Sequence, residues 1–412
     1  MYFVYNIFSY LVFLFSPLII FLRILKGKED PKRFKEKFCI YKNQNNFRSI
    51  WFHAVSVGEL MSIIPLLKKL DKNKKINQII VTSSTISSAK IFKKQKFENT
   101  IHKYFPIDTN FLNKKFINFW KPQAAFFVDS EIWPNMFRNL KNKNVPIILL
   151  NGRITEKSFK RWALIKNFSK SVFKNISLAL PSNKETKNFL KKLGVNNIKL
   201  IGNLKYYGLS VIKDKDIKIL KKKFQNFNIW CAASTHEGEE ILISNLHKNI
   251  KKKQKKLLTI IIPRHIDRVK KIVEELNENK LKVVKHSSNT NLKNDTDIYI
   301  VDTYGEASKF YNLTSVCFMG GSIIKHGGQN PLEPARLGNY IINGPNIKNF
   351  REVYKFLNKN NMSETTSNIN KIQKIIEEKL NKKISNQNKN KIFKIGEKIL
   401  NENMIYINKY IR

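Results

Sequence analysis

Apolar and polar positions in this chain follow two periods, and the switches between them mark out its elements. Residues 3–22 carry no charge and are dominated by Phe, Leu, Ile, Val and Tyr. About 20 residues at ~1.5 Å each make a helix long enough for a ~30 Å hydrocarbon layer. Beyond it, short apolar runs at 49–52, 78–81, 123–128 and 146–150 read as strands separated by amphipathic helical stretches. A second series starts at 228–232 and continues through 257–262, 298–301 and 315–318, again with helices between. Strand and helix in alternation build a parallel sheet with helices packed on it, so the pattern predicts two Rossmann-like α/β lobes. The boundary is expected near 202–208, with the Lys- and Asn-rich segment 214–228 opening the second lobe as a helix and loop. From 368 onward the chain is polar with Ile, Leu and Phe at helical spacing, which reads as terminal helices with solvated faces.

Length supports the division, since 412 residues exceed one ordinary core and suit two. The expected domains are an anchor helix at 1–25, a first Rossmann-like domain at 26–205 and a second at 206–412. Arg23, Lys26, Lys28, Lys32 and Arg33 all follow the apolar stretch, which by the positive-inside tendency places the remainder in the cytoplasm. A basic region before the stretch and an A-x-A site after it are both lacking, which favours a retained anchor over a cleaved signal. Pro17 keeps a second arrangement open, a kinked helix lying in one leaflet or packed into a groove of the domain.

The net charge of +45 would ordinarily point to nucleic acid or an anionic membrane. Lys is scattered through a chain rich in Asn and Ile, and no basic stripe is interleaved with aromatics, so no nucleic-acid partner is expected. A general pull toward acidic lipid remains. Cys39, Cys231 and Cys317 lie far apart with no CxxC pair, which suggests neither a disulfide framework nor a zinc site.

Candidate chemistry concentrates at strand ends. Seven of the 15 glycines fall between Gly305 and Gly344. The strand at 315–318 runs into Met319-Gly320-Gly321-Ser322, and then into a loop ending Gln329-Asn330-Pro331-Leu332-Glu333. Asn330 suits a helix N-cap and Pro331 the first helical position, which would turn free N–H groups toward an anion. Asn330 and Glu333 also have capping-box spacing, so a purely structural role stays open. Thr303-Tyr304-Gly305-Glu306 and Ser234-Thr235-His236-Glu237 follow neighbouring strands in the same way, and three such helix starts would make a convergent anion pocket. Pro263-Arg264-His265 adds a guanidinium able to bind phosphate or carboxylate bidentately, with a structural salt bridge as the alternative. In the first lobe Glu59 follows the strand at 49–52, as a general-base candidate or as a residue compensating a helix dipole. Asp129-Ser130-Glu131 repeats that arrangement at a second strand end. No His cluster has ligand spacing, and no P-loop or GxGxxG follows a strand, so neither a catalytic metal nor a cofactor is expected.

Seven segments, HAVSVGE at 53–59, DSEIWPN at 129–135, NGR at 151–153, GNLK at 202–205, ASTHEGEE at 233–240, PRH at 263–265 and GGQNPLEPA at 327–335, together resemble the bacterial 3-deoxy-D-manno-octulosonic acid (Kdo) transferases specific for lipid A. The resemblance implies a GT-B glycosyltransferase, two Rossmann-like domains facing a cleft, with a membrane-anchoring helix. It implies an inverting transfer of Kdo from CMP-Kdo to a lipid A precursor, lipid IVA, at the cytoplasmic face of the inner membrane, with release of CMP. The family's base would fall on Glu59 and its transition-state stabilisers on Glu131 and Lys205. Its CMP contacts would fall on Pro263, Arg264, Tyr304, Gly305, Glu306, Asn330, Pro331, Leu332 and Glu333. Partners would be the CMP-Kdo donor, the lipid A precursor and the anionic inner-membrane surface. The sequence departs from the family at Gln329, where His is usual, and at Gly152, where Ala is common. Another GT-B enzyme using a UDP-sugar is the alternative.

Overall fold

A computed structural model describes residues 1–41, 47–208, 214–288, 290–380, 382 and 385–411. The chain divides into two compact units, Met1–Gly208 with Gly396–Arg412, and Leu209–Ile395.

The first unit is built on six parallel strands, β1 (Ser49–His53), β2 (Ile79–Ser83), β3 (Thr100–Tyr104), β4 (Pro122–Val128), β5 (Ile147–Gly152) and β6 (Leu178–Pro181), in the order β3-β2-β1-β4-β5-β6. Every residue of β1, β2 and β5 is buried, because helices cover both faces; that is why these strands read as unbroken apolar runs. Trp51 fills the core beside Phe116 and Phe127, with ring centroids 4.6 and 5.2 Å away, and its indole N–H donates to Thr82 Oγ1 at 2.9 Å. Strand order reverses between β1 and β4. Such a switch point is where open α/β sheets place their ligands, beyond the strands' carboxyl ends.

The second unit carries seven strands, β7 (Asn228–Thr235), β8 (Leu257–Pro263), β9 (Val283–Lys285), β10 (Ile298–Ile300), β11 (Val316–Met319), β12 (Tyr340–Asn343) and β13 (Ser363–Thr365). All pairings are parallel in the order β13-β12-β11-β7-β8-β10-β9, with the reversal between β7 and β11. Each unit thus has more strands than the four expected, the additions being short or lying toward sheet edges.

The last residues depart from the expected second domain of 206–412. From Gly396 on, the terminal helix Asn386–Asn408 clusters with the first unit. A Cβ at Gly396 would stand 2.7 Å from the Tyr207 nitrogen, so only glycine lets the helix lie this close to the 3-10 turn Leu204–Tyr206. Lys69 fixes the same helix by donating to Asn401 Oδ1 at 2.8 Å.

The helix Tyr2–Leu25 is long and apolar enough to cross a membrane. It is also packed against the first unit: Tyr2 meets Phe168 edge-on at 4.9 Å, and Tyr5 donates its hydroxyl to Asp108 at 2.7 Å.

Candidate functional site

In the first unit, β1 ends at His53 and the chain turns into the helix Val57–Asp71. Ser56 caps that helix: its Oγ accepts from Glu59 N at 3.3 Å, while Glu59 Oε2 accepts from Val55 N at 2.7 Å and from Ser56 N at 3.5 Å. Glu59 therefore sits in a capping box. It also has a second property. Burial, and then the charges of Glu131 and Asp129, push its carboxyl up from the ordinary 4.5 to about 7.

Those two acids follow β4, the neighbour of β1 across the switch point. Asp129 takes a left-handed conformation, φ 62°, and its Oδ2 accepts from Lys205 Nζ at 3.0 Å. Lys205 is placed by two Asn side chains: Asn203 Oδ1 accepts its own N–H at 2.9 Å, and Asn151 Oδ1 accepts that of Leu204 at 2.9 Å. Glu131 accepts from the Trp133 indole at 3.0 Å and lies 3.6 Å from His53 Nε2. His53 is fully buried, stacked on Phe105 at 3.9 Å, and burial lowers its pKa against the pull of Glu131. Glu59, Glu131 and Lys205 thus gather at one sheet edge, with Asp129 and His53 as partners that the chain order alone did not reveal.

In the second unit, the loop after β11 is tied to the loop after β7 by Glu239. Its buried carboxylate accepts from His236 N at 3.1 Å, Gly321 N at 2.7 Å, and Ser322 N and Ile323 N at 3.2 Å each. A Cβ at Gly320 would come within 2.4 Å of the Ser234 carbonyl oxygen, so the two loops touch backbone to backbone. Of the segment after β7, one of three expected to face an anion, the His236 N–H is in this way taken by the protein's own carboxylate.

Arg264 follows β8. Its N–H donates to Thr235 O at 3.1 Å, while its side chain is exposed and forms no salt bridge among the described residues. The ion pair in this region belongs to Arg268, which forks onto Glu240 at 3.1 and 3.3 Å. His236 lies 4.1 Å from His326 and 6.0 Å from His265, ring centroid to centroid, and 2.9 Å from Gln329 Nε2. Burial, and then the charges of His326, His265, Arg268 and Arg264, lower its pKa to about 4. With His236 neutral and Arg268 paired to Glu240, the exposed Arg264 guanidinium is the charge here that favours an anion. Three of the chain's seven histidines meet here, brought together from separate strand ends that lie far apart in the sequence.

After β10, Tyr304 is exposed and Gly305 takes φ 85°. Glu306 receives bonds from His286 Nε2 and Lys309 Nζ at 2.6 Å and from Thr303 Oγ1 at 2.9 Å. Against the upward push of burial, these bonds bring its carboxyl down to about 2. The helix after β11 starts one residue later than expected, at Leu332, with Pro331 as N-cap and Asn330 Oδ1 accepting from Leu332 N at 3.1 Å. Glu333 closes no capping box; it accepts the Ser308 hydroxyl, which links the segments after β10 and β11. Among the described residues, no group of three His, Cys, Asp or Glu could hold a metal ion.

Residues 32–207 match the family described as 3-deoxy-D-manno-octulosonic-acid transferase. The chain is 36% identical over 356 residues to a 3-deoxy-D-manno-octulosonic acid transferase of Rickettsia bellii, covering 85% of this chain and 84% of that one. It is 30% identical over 389 residues to the transferase of the same name from Haemophilus influenzae, covering 92% and 91%. In fold it is similar to the crystal structure of a glycosyltransferase from Rickettsia africae, with a TM-score of 0.57 at 13% identity over 89% of this chain and all of that one.

Proposed function

As this chain belongs to the 3-deoxy-D-manno-octulosonic-acid transferase family of glycosyltransferases, we propose that it moves Kdo from CMP-Kdo to a lipid A precursor, lipid IVA, with inversion at the anomeric carbon. The observation that carries the mechanism is the state of Glu59. A carboxyl that titrates near 7 is poised to take a proton at neutral pH and strong enough as a base to matter.

In this reading Glu59 removes the proton from the acceptor hydroxyl as its oxygen forms a bond to the anomeric carbon. The bond from that carbon to the CMP phosphate oxygen breaks, and its electron pair leaves with CMP. The proton ends on Glu59. The anomeric carbon becomes cation-like in between, and Glu131 stabilises that charge. Lys205, held by Asp129, offsets the negative charge of the sugar carboxylate or the departing phosphate. On the second unit, the exposed Arg264 guanidinium, with the neighbouring neutral imidazole of His236 and that of His326 as hydrogen-bonding groups, suits the CMP phosphate. Glu306 and Glu333, with Tyr304, Gly305, Asn330, Pro331, Leu332 and Pro263, supply the remaining nucleotide contacts. Glu239 makes no ligand contact in this scheme; it holds the two loops together. The work is done at the cytoplasmic face of the inner membrane, where the apolar helix and the basic residues after it keep the enzyme beside its lipid acceptor.

Incubation with CMP-Kdo and tetra-acylated lipid IVA, followed by mass spectrometry, tests the proposal. Appearance of a Kdo-bearing lipid with release of CMP is expected. Transfer from a UDP-sugar in its place would overturn the donor assignment.

A further inference from the structure

The residues of the helix Tyr2–Leu25 that are shielded from solvent are Tyr2, Tyr5, Asn6, Ser9, Phe13, Ser16, Ile20, Arg23 and Ile24. Their spacing of three and four makes one stripe along the whole length of the helix. Nearly all its hydrogen-bonding side chains lie in that stripe. Tyr5 reaches Asp108, Asn6 accepts from Asn110 at 3.1 Å, Ser9 accepts from Asn135 at 3.3 Å, and Arg23 donates to the buried Glu29 at 3.1 Å. Tyr10, half exposed, is the remaining one. The rest of the surface is apolar and open to solvent, including Phe3, Phe8, Leu11, Leu14, Phe15, Leu18 and Leu22.

Both ends of this helix are held by the same globular unit. At the start, Tyr2 packs on Phe168 and under the Arg138 guanidinium, 5.0 Å from the ring centroid. Farther along, Phe13 meets Phe38, and Glu29 binds both Arg23 and Lys37. The segment carrying Phe38 is fastened to β3 in turn, through Arg33 on the His102 carbonyl at 2.8 Å and Glu36 on Tyr104 N at 2.9 Å. A helix of 24 residues is about 36 Å long. Were it to cross a bilayer in this arrangement, it would draw Asp108, Asn135 and Arg138 into hydrocarbon, each charge at a cost of about 2.5–3.5 kcal/mol or more. Breaking free would forfeit the whole stripe. Lying flat costs neither, and it buries the open apolar face.

We therefore infer that this helix is a monotopic anchor, lying in the plane of one anionic phospholipid leaflet with its apolar face immersed. Charge is placed to match. Lys26, Lys28 and Lys32 are exposed just beyond one end of the helix. Near the other, the helix Glu156–Leu164 presents exposed Lys157, Lys160 and Arg161, and its Trp162 packs toward Phe168 and so toward Tyr2. Leu164, 85% exposed on that helix, and Phe111, next to Asn110, are apolar side chains positioned to enter the same leaflet. Cations at both ends suit one negative surface; a spanning helix would put them on opposite sides. The inference deepens the membrane attachment proposed above and is independent of donor and acceptor.

Nitroxide labels on the full-length protein provide the test. V4C, L11C, L14C, L18C and L22C each place a label on the open face, and the three native cysteines are buried. Depth is read by electron paramagnetic resonance in vesicles of phosphatidylethanolamine and phosphatidylglycerol, with a wild-type circular dichroism melt as the check that each labelled protein is intact. A monotopic helix gives all five labels a similar shallow depth, within about 5 Å of one another. A spanning helix gives a graded profile, with positions 4 and 14 differing by about 15 Å. That gradient overturns the inference, and so do labels that remain in water throughout.

Discussion

Glu59→Gln separates catalysis from capping. Gln at the third helical position still accepts from the N-cap backbone, so the capping box around Ser56 survives the change. The substitution removes a carboxylate that burial, Glu131 and Asp129 all disfavour. The rise from 4.5 to about 7 corresponds to at most about 3 kcal/mol against the ionised form, and partial exposure screens this to about 1–2 kcal/mol. The sign follows from linkage. A carboxyl raised in the folded state favours folding most fully below 4.5, and that advantage is lost as pH rises through about 7. At pH 8 the variant should therefore melt no lower than wild type, and by this reckoning somewhat higher. Turnover should behave oppositely and fall by about 10²–10⁴ with the base gone. The wild-type single-turnover rate should rise with pH through about 7 and then level, while the residual rate of the variant should lack that limb. A role confined to the helix dipole predicts up to ~1 kcal/mol less stability and near-normal turnover. Near-wild-type transfer by a folded Glu59→Gln protein would refute the base assignment and make Glu131 the next to test.

Arg264→Lys and Glu333→Gln should each weaken CMP binding by about tenfold, the first by losing a bidentate fork and the second by losing a carboxylate acceptor; calorimetry reads both, and unchanged affinities would return the two residues to structural roles. His236, held down to about 4 by burial and by surrounding cations, should titrate higher once a phosphate joins the cluster, a change that NMR of the imidazole with and without CMP would detect. Deleting residues 1–22 should release the protein from membranes and leave CMP affinity intact. The same deletion bares Phe168 and takes the Tyr5 donor from Asp108, costing the first unit about 1–3 kcal/mol at that acceptor, measurable by denaturant titration.

What the sequence made legible follows from burial on both faces. β1, β2, β4, β5, β7, β8, β10 and β11 were each foreshadowed by an apolar run, because covered strands cannot alternate. β3 reads as Thr-Ile-His-Lys-Tyr, alternating between buried and partly covered positions, and β9 and β13, as Val-Val-Lys and Ser-Glu-Thr, are edge strands only partly covered, so none of the three shows as an apolar run. Strand ends carrying Glu59, Glu131 and Arg264 could be picked out by position alone. The pairing of Lys205 with Asp129 spans 76 residues and could not be. Glu239 looked like one acid among several in a helix start, yet four backbone N–H groups from two loops close on it, an arrangement that exists only once β7 and β11 lie side by side. The same holds for the capping box expected at Asn330 and Glu333: Pro331 takes the cap, and Ser308, 25 residues earlier, takes the carboxylate. For the N-terminal helix, the length was plain, while the stripe of Tyr2, Tyr5, Ser9 and Ser16 acquired meaning only with its partners in place.

The central claim is that this protein transfers Kdo to a lipid acceptor, and the mass of the lipid product tests it most directly. Purified protein incubated with CMP-Kdo and tetra-acylated lipid IVA should yield the acceptor increased by one or more whole Kdo units, with CMP released in equal number. An acceptor of unchanged mass, from folded protein shown to bind CMP, would contradict the account.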